Sequence, residues 1–196
     1  MMRRFLATAV FLSSAFGLGA AIIPRQAPEY VINVPGRGQE LLSKHKGKVV
    51  VLEFLMTTCP HCQDSAKVLS KLQREFGSKM QVLGVAINPN PDVAGFTRQY
   101  ATDFLVGSNT RETAMGFLQH SIMAPNFYVP QMVFIDKKGV IRAQYGGTDN
   151  FLNAAQEMNI RNMINRLLAE PGGAVAPAKS KPAAKKPAAA AKKEQS

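Results

Sequence analysis

The chain has 196 residues, two cysteines and a formal net charge of +11. That length accommodates one ordinary domain with a full core and an extension at either end. Most of the positive charge lies in the two ends, because residues 24–170 carry only +4 of the total. The lysine-rich C-terminal end has no interleaved aromatic residues, so we expect no nucleic-acid partner.

The N-terminus has the composition of an export signal. Arg3 and Arg4 form a basic start, residues 5–23 contain no charged side chain, and small residues precede a cleavage site ending at Ala21. The uncharged run is also long enough to be retained as a membrane anchor, so we predict a signal peptide or an anchor over 1–23. Either outcome places the remaining chain outside the cytoplasm, in a bacterial periplasm or cell envelope, where a pair of thiols can be held oxidised or reduced by a dedicated partner.

Residues 24–170 are predicted to form one domain in which strands and helices alternate. Its first half contains an extended piece, a turn-rich link through two glycines, a strand, a helix and another strand, at 30–34, Gly36 and Gly38, Val49–Leu55, 62–76 and 80–87. The strand Val49–Leu55 is apolar apart from Glu53, as expected of a central strand covered on both faces. Together the strand, helix and following strand predict a right-handed βαβ unit with parallel strands.

The second half begins after the chain break Asn88-Pro89-Asn90-Pro91. It is predicted to contain a short helix, a brief strand, a second short helix, the two strands of a hairpin and a last helix, at 92–100, 104–106, 112–120, 132–135, 140–145 and 151–169. Thr148, Asp149 or Asn150 is expected to cap that last helix, whose buried side includes Ala155. The whole pattern predicts an α/β fold with a mixed central sheet and helices on both faces.

Residues 171–196 are nearly all Pro, Ala, Lys and Gly, and carry +5 of the net charge. Such a segment cannot bury enough apolar surface to offset its conformational entropy, so we predict that it is disordered. A solvated spacer is one interpretation of this tail. Weak attachment to anionic lipid headgroups or to an acidic envelope polymer, through its paired lysines, is the other.

Both cysteines lie in Cys59-Pro60-His61-Cys62, which follows the predicted central strand and opens the next helix. A dithiol at such a junction suits thiol–disulfide exchange. Half of a zinc site is one alternative, but structural zinc usually takes four nitrogen or sulfur ligands, and the chain has only three histidines. A structural disulfide closing so short a loop would constrain little of the unfolded chain. We therefore predict redox chemistry that uses no cofactor and no metal.

The element order, the dithiol at the strand–helix junction and Val129-Pro130 before a strand resemble the thioredoxin superfamily, and within it the exported TlpA/ResA-like thiol–disulfide oxidoreductases. The resemblance covers residues 31–168. It implies a thioredoxin-like fold, with a βαβ half and a ββα half separated by an insertion. It also implies that Pro130 is a cis-proline facing the dithiol, where a substrate segment pairs as an added strand. An ordinary trans loop proline is the alternative.

The two cysteines are expected to play different parts. Cys59 lies at the helix N-terminus, which favours thiolate over thiol, and is the expected nucleophile. Cys62, one turn further in, is the expected resolving thiol. The partners implied by this chemistry are protein thiols or disulfides and a redox partner protein, with the chain itself a monomer. The sequence permits electron flow in either direction.

His61 bears on that direction. An imidazole beside the thiolate that stabilises the reduced form would make the oxidised form a stronger oxidant than thioredoxin. A solvent-facing histidine with no effect on the sulfurs is the alternative. Thr58 stands where the family usually has an aromatic residue, which changes the rim around Cys59.

Glu53 is the one charged residue in the predicted central strand. It shares the side of the strand occupied by Val51 and Leu55, and a lone buried carboxylate is costly unless it has a task or a partner. The resemblance implies that it relays a proton to or from Cys62. An edge-facing Glu53 paired with Lys48 or another cation is the alternative.

Two further functions use the same cysteines. A copper-handling chaperone would bind Cu(I) through Cys59, Cys62 and a third ligand such as His61 or Met56, although copper-delivery relatives usually separate their cysteines by three residues rather than two. An AhpC/TSA-type antioxidant protein would need a peroxidatic pattern of Pro, Thr and Cys. Leu52 and Met56 stand where that Pro and Thr would fall, so peroxidase activity is not expected. A redox-inert binding module would not need the intact dithiol.

Overall fold

The structure, a computed structural model, describes residues 21–101, 103–121 and 126–171. In that part of the chain the strands are β1 Arg25–Gln26, β2 Val31–Val34, β3 Gly38–Leu41, β4 Val49–Leu55, β5 Met80–Ala86, β6 Leu105–Ser108, β7 Gln131–Ile135 and β8 Val140–Tyr145. The helices are α1 Pro60–Phe76, α2 Val93–Tyr100, α3 Arg111–Leu118, α4 Asn150–Asn153 and α5 Gln156–Ala169.

The strands form one mixed sheet in the order β1-β8-β7-β4-β5-β6-β2-β3. Strands β4, β5 and β6 are parallel, whereas β7 runs antiparallel to β4 and β8 antiparallel to β7. All seven residues of β4 are buried, which confirms the prediction of a central strand covered on both faces. The mixed sheet and its helices confirm the predicted α/β class.

The two faces of the sheet are covered by different helices. On one face, alternate residues of β4 such as Val51 and Leu55 belong to an apolar cluster with residues of α1, α2 and α5. On the other face, Leu52 and Phe54 belong to a second cluster that includes residues of α3. Because side chains alternate along a strand, Glu53 lies on the face that α1 covers.

The link predicted through Gly36 and Gly38 is a β-hairpin that joins β2 to β3. Both glycines have positive φ, 72° and 77°, a conformation that glycine adopts without steric cost. Val34 pairs with Gly38 across the turn. Because β3 is mostly polar, its side-chain pattern does not predict a strand. The two-residue strand β1 is not predicted by the sequence pattern either.

The predicted single helix over 151–169 is wrong, because the chain forms α4 and then α5. Asp149 is the N-cap of α4 and its carboxylate accepts from the Phe151 N–H at 2.8 Å. Ala155 then adopts the left-handed conformation, φ 52°, and is exposed rather than buried. The Asn159 amide donates to the Ala154 carbonyl at 2.6 Å, so a side chain satisfies the backbone acceptor left open by the break.

The predictions for the chain ends fall mainly outside the described residues, since these start at residue 21 and stop at residue 171. Within the described part of the chain, no helix is long and apolar enough to cross a membrane.

Candidate dithiol site

The dithiol lies where the central strand gives way to α1. β4 ends at Leu55, and Cys59 is the N-cap residue of α1, with Pro60 in the first turn. The Cys59 N–H donates to the Met56 carbonyl at 3.1 Å, and the Cys59 carbonyl accepts the first helical hydrogen bond from Gln63 at 3.1 Å. The first-turn N–H groups of a helix have no partner within it, so the site offers donors to a charge on Cys59.

The turn before Cys59 is held by two amide side chains that the sequence did not point to. The Asn88 side chain accepts from the Thr57 N–H at 3.0 Å and donates to the Thr57 hydroxyl at 3.3 Å. The Gln63 amide donates to the Thr57 carbonyl at 3.1 Å. Asn88 follows β5, as Met56 and Thr57 follow β4. Because the carboxyl ends of neighbouring parallel strands meet at one edge of a sheet, the position of Asn88 after a predicted strand could have indicated its place near the dithiol.

The two sulfurs differ in access. Both cysteines are free thiols, with Cys59 partly exposed and Cys62 fully buried. Burial raises the pKa of the Cys62 thiol, and the neighbouring Glu53 carboxylate raises it further, while a hydrogen bond with the Met56 backbone opposes the rise. A partner can therefore reach Cys59, whereas Cys62 needs a proton acceptor to become a thiolate.

Glu53 is buried completely, with an exposed fraction of 0%. Neither of its carboxylate oxygens has a hydrogen-bond partner of normal geometry among the described residues. Burial raises the pKa of Glu53 to about 8, and the nearby Ser65 hydroxyl lowers it in part, although its approach lies outside that geometry. The alternative in which an edge-facing Glu53 pairs with Lys48 or another cation is wrong, because the carboxylate is fully buried and has no ion pair with the described residues.

Pro130 lies at the same end of the sheet as Cys59. The Val129–Pro130 peptide is cis, as the resemblance implied, and Pro130 is buried. Gln131, the first residue of β7, pairs with Phe54 near the end of β4. Because β7 runs antiparallel to β4, Pro130, which precedes Gln131, lies at the edge of the sheet where α1 starts.

The loop that carries Pro130 is itself supported. The Gln131 side-chain amide donates to the Tyr128 carbonyl at 2.6 Å. Gly147 lies against this loop so closely that an added Cβ would meet the Val129 carbonyl oxygen at 2.6 Å. Gln131 and Gly147 are thus structural determinants of the loop that sequence reasoning missed.

The rim of the site is open. His61 is exposed and makes no hydrogen bond or ion pair with the described residues. Met56 and Tyr128, with exposed fractions of 36% and 54%, add apolar surface to the rim. As to metals, the described residues contain no group of three or more His, Cys, Asp and Glu side chains placed to hold an ion.

A mixed sheet with a dithiol at the strand–helix junction and a cis-proline at the same end defines a thioredoxin-like protein. Solved structures share the fold. A thiol:disulfide interchange protein from Chlorobium tepidum TLS is 18% identical with a TM-score of 0.62, covering 76% of this chain and 99% of its own. A putative thioredoxin from Neisseria meningitidis is 26% identical with a TM-score of 0.51, covering 69% and 90%.

Comparison of the amino-acid sequence with known proteins identifies a relative and a family within this class of thioredoxin-like proteins. The thioredoxin-like protein YneN of Bacillus subtilis (strain 168) is 26% identical over 145 residues, which cover 69% of this chain and 78% of that protein. Residues 23–144 match the AhpC/TSA family, and the chain belongs to it. The predicted membership of the thioredoxin superfamily is confirmed. At the positions of the peroxidatic Pro and Thr, the structure has a buried Leu52 and an exposed Met56.

Proposed function

We propose that this protein is an exported thiol–disulfide oxidoreductase that exchanges disulfides with protein substrates. The observation that carries the proposal is the asymmetric dithiol: a partly exposed Cys59 at a helix N-terminus, and a fully buried Cys62 one turn further in, next to a buried carboxylate. An exposed attacking sulfur and a protected resolving sulfur are what exchange through a mixed disulfide requires.

In the reducing direction, the Cys59 thiolate attacks one sulfur of a partner disulfide. A bond forms between Cys59 and that sulfur, and the other partner sulfur leaves as a thiolate. Cys62 then loses its proton, its sulfur attacks Cys59, and the partner's second sulfur leaves as a thiolate. The dithiol is oxidised by two electrons and the partner disulfide is reduced by two. In the oxidising direction the same steps run in reverse.

Glu53 is the proposed proton relay for Cys62. Its carboxylate accepts the proton as the Cys62 sulfur attacks and gives it back when the dithiol is regenerated. A pKa of about 8 keeps both protonation states accessible near neutral pH, which suits general acid–base catalysis. The loop of Pro130, at the same end of the sheet as Cys59, is the proposed backbone edge for a substrate segment.

Export is proposed from the composition of residues 1–23. Two proteins of the same fold that act outside the cytoplasm support export: a secreted Mycobacterium tuberculosis disulfide oxidoreductase and a pneumococcal exposed lipoprotein thioredoxin. Residues 171–196 are proposed to be a disordered spacer. Fractionation of cells that express the tagged full-length chain tests the location, and a cytoplasmic protein of full length would contradict it.

Catalysis is tested by reduction of insulin disulfides and, separately, by oxidation of a reduced protein, each with wild type, Cys59→Ala and Cys62→Ala. We expect Cys59→Ala to abolish turnover in both assays. Cys62→Ala is expected to accumulate a mixed disulfide through Cys59, visible by non-reducing electrophoresis. Turnover by Cys59→Ala at the wild-type rate contradicts the proposal.

Thiol trapping in cells then gives the direction of electron flow. A mostly reduced pair of cysteines implies that the protein is an electron donor, and a mostly oxidised pair implies that it is an oxidant.

The family match favours a second candidate, reduction of peroxide by Cys59. The same protein preparations test it by peroxide consumption in the presence of a thiol reductant. Because Leu52 and Met56 replace the peroxidatic Pro and Thr, we expect consumption no faster than for an ordinary exposed thiol.

A further inference from the structure

Ser65 is a buried polar residue that the exchange steps above do not use. It lies on α1, three residues beyond Cys62, and both have an exposed fraction of 0%. Residues three apart on a helix share one face, so Ser65 and Cys62 both point toward the sheet. The Ser65 hydroxyl has no hydrogen-bond partner of normal geometry in the described part of the chain. A buried hydroxyl without a hydrogen-bond partner destabilises the fold, so packing alone does not explain a serine at this position.

The Glu53 carboxylate lies on the face of β4 that α1 covers, and both of its oxygens, like the Ser65 hydroxyl, are buried without a hydrogen-bond partner of normal geometry among the described residues. The neighbours of Glu53 in the sheet are Gly84 on β5 and Met132 on β7, neither of which has a polar side chain. α5 adds apolar side chains to the same cluster, such as Ile160. Ser65 acts on the Glu53 carboxyl directly, by lowering its pKa.

The titratable groups on this face are few. Among the described residues of that cluster, Cys62 lies on α1, Cys59 is the N-cap of α1, and Tyr100 is the last residue of α2. Tyr145 on β8 lies two strands from β4, and its ring is stacked on Phe151 at 3.7 Å between centroids. Cys62 and the Ser65 hydroxyl are therefore the polar groups of α1 that can exchange a proton or a hydrogen bond with Glu53.

We infer that Ser65 is a positioning residue for the Glu53 carboxylate, toward which its hydroxyl turns to donate a hydrogen bond while that carboxylate is ionised and ready to accept the Cys62 proton. This role rests on the proposed exchange activity. A serine hydroxyl rotates freely about its C–O bond, so the donor can be delivered without movement of the helix. Once Glu53 holds the Cys62 proton, its charge is gone and the hydroxyl is released.

The proton and electron balance is that of exchange itself. The Cys62 proton moves to a Glu53 oxygen, the Cys62 sulfur bonds to Cys59 Sγ, and the bond between Cys59 and the partner sulfur breaks, with the electron pair leaving on the partner thiolate. Ser65 gives up no proton and gains none. It stabilises the charged base before transfer, which sets the pH at which Glu53 can act.

The test compares Ser65→Ala with Ser70→Ala in the reduced full-length chain. Ser70 is the matched control: it lies on the same helix, is 4% exposed, and its hydroxyl donates to the Tyr100 carbonyl rather than facing Glu53. Carbon-13 labelling of glutamate carboxyls, with Glu53→Gln to assign the signal, reports the titration of Glu53 by NMR. A lost hydrogen bond to a charged group corresponds to an upward shift of the midpoint by about one to two pH units.

We expect that upward shift in Ser65→Ala, no shift in Ser70→Ala, and a return toward the wild-type midpoint in Ser65→Thr, which keeps the hydroxyl. The pH profile of insulin reduction should move by the same amount in Ser65→Ala. An unchanged midpoint in Ser65→Ala, or an equal shift in both alanine variants, overturns the role of Ser65. The proposed function fails separately, if the wild-type chain does not turn over insulin, since the NMR titration does not depend on turnover.

Discussion

Glu53 couples the protonation of a single side chain to the stability of the fold. Its pKa rises from an ordinary value of 4.5 to about 8 because the carboxylate is buried. Between these values the folded chain holds a proton that the unfolded chain has released, so this contribution to stability is complete below about pH 4.5 and is lost as the pH rises through 8.

Glu53→Gln is therefore expected to stabilise the protein at alkaline pH. The amide has nearly the same shape and does not ionise, so its advantage over wild type should grow from pH 5 to pH 9 and reach a few kcal/mol. Urea unfolding across that range measures it. Glu112→Gln, at an exposed glutamate of α3, is the control and should follow wild type. Parallel curves for wild type and Glu53→Gln would show that the carboxylate is not protonated in the fold.

His61 is expected to shift the redox potential of the dithiol. It is exposed and lies between the two cysteines in the first turn of α1. If its imidazole stabilises the Cys59 thiolate, the couple lies above about −270 mV, the value of thioredoxin, and His61→Ala lowers it. Equilibration with glutathione of known redox state measures both. His45→Ala, before the opposite end of β4, should leave the potential unchanged. A wild-type potential at or below that of thioredoxin contradicts the expectation.

At the scale of elements, the junction of β4 and α1 depends on the two loops that meet beside it. Asn88 holds the turn before Cys59, and Gln131 and Gly147 support the loop of Pro130. These contacts hold Cys59 and the loop of Pro130 on separate chain segments that are each fixed to the sheet. A disturbance in the loop of Pro130 should therefore affect substrate binding more than the intrinsic reactivity of the thiols.

Gly147→Ala tests that separation. The new methyl group would meet the Val129 carbonyl oxygen at 2.6 Å, so the Pro130 loop must move. We expect a loss of about 1–3 kcal/mol in stability and a higher KM for a protein disulfide, with alkylation of Cys59 little changed. Gly116→Ala is the matched control, since a Cβ there meets nothing within 4 Å and alanine favours a helix. An unaltered KM in Gly147→Ala would mean that the loop does not contact substrate.

The elements that sequence predicts well here are those whose side-chain pattern is local. β4 is an unbroken apolar run and α1 has apolar residues at helical spacing, so both were found, together with the cysteines at their junction. β3 is short and polar, and the break before α5 depends on the Asn159 side chain. Asn88 and Ser65 have no local signal either, because their partners lie on other elements. Asn88 reaches Thr57 because β5 is the neighbour of β4 in the sheet, and Ser65 lies near Glu53 because α1 packs on β4.

At the scale of the whole molecule, contacts with the hairpin of β7 and β8 hold the end of α5 and Glu170 in place. The Lys137 ammonium group donates to the carbonyls of Leu168 and Glu170 at 3.0 and 2.6 Å. Arg142 pairs with Asp136 at 3.0 Å and also with Glu170. The end of α5 is thereby fixed to the hairpin of β7 and β8.

Truncation after Glu170 is expected to leave the melting temperature and the rate of exchange unchanged, because the contacts that close the fold remain. Association with anionic lipid vesicles should weaken, since the removed segment carries +5. Vesicle sedimentation at low and physiological salt measures this, with neutral vesicles as the control. Equal sedimentation of the truncated and full-length chains with anionic vesicles would show that the tail has no part in attachment.

The burial of Cys62 gives the protein a valence of one. Of the two cysteines, only Cys59 presents its thiol to other macromolecules, so each molecule can hold a single partner through a disulfide at any moment and cannot crosslink two. The Cys62 sulfur, buried beside that bond, can release the partner from within, and outside reductants and oxidants have no direct access to it.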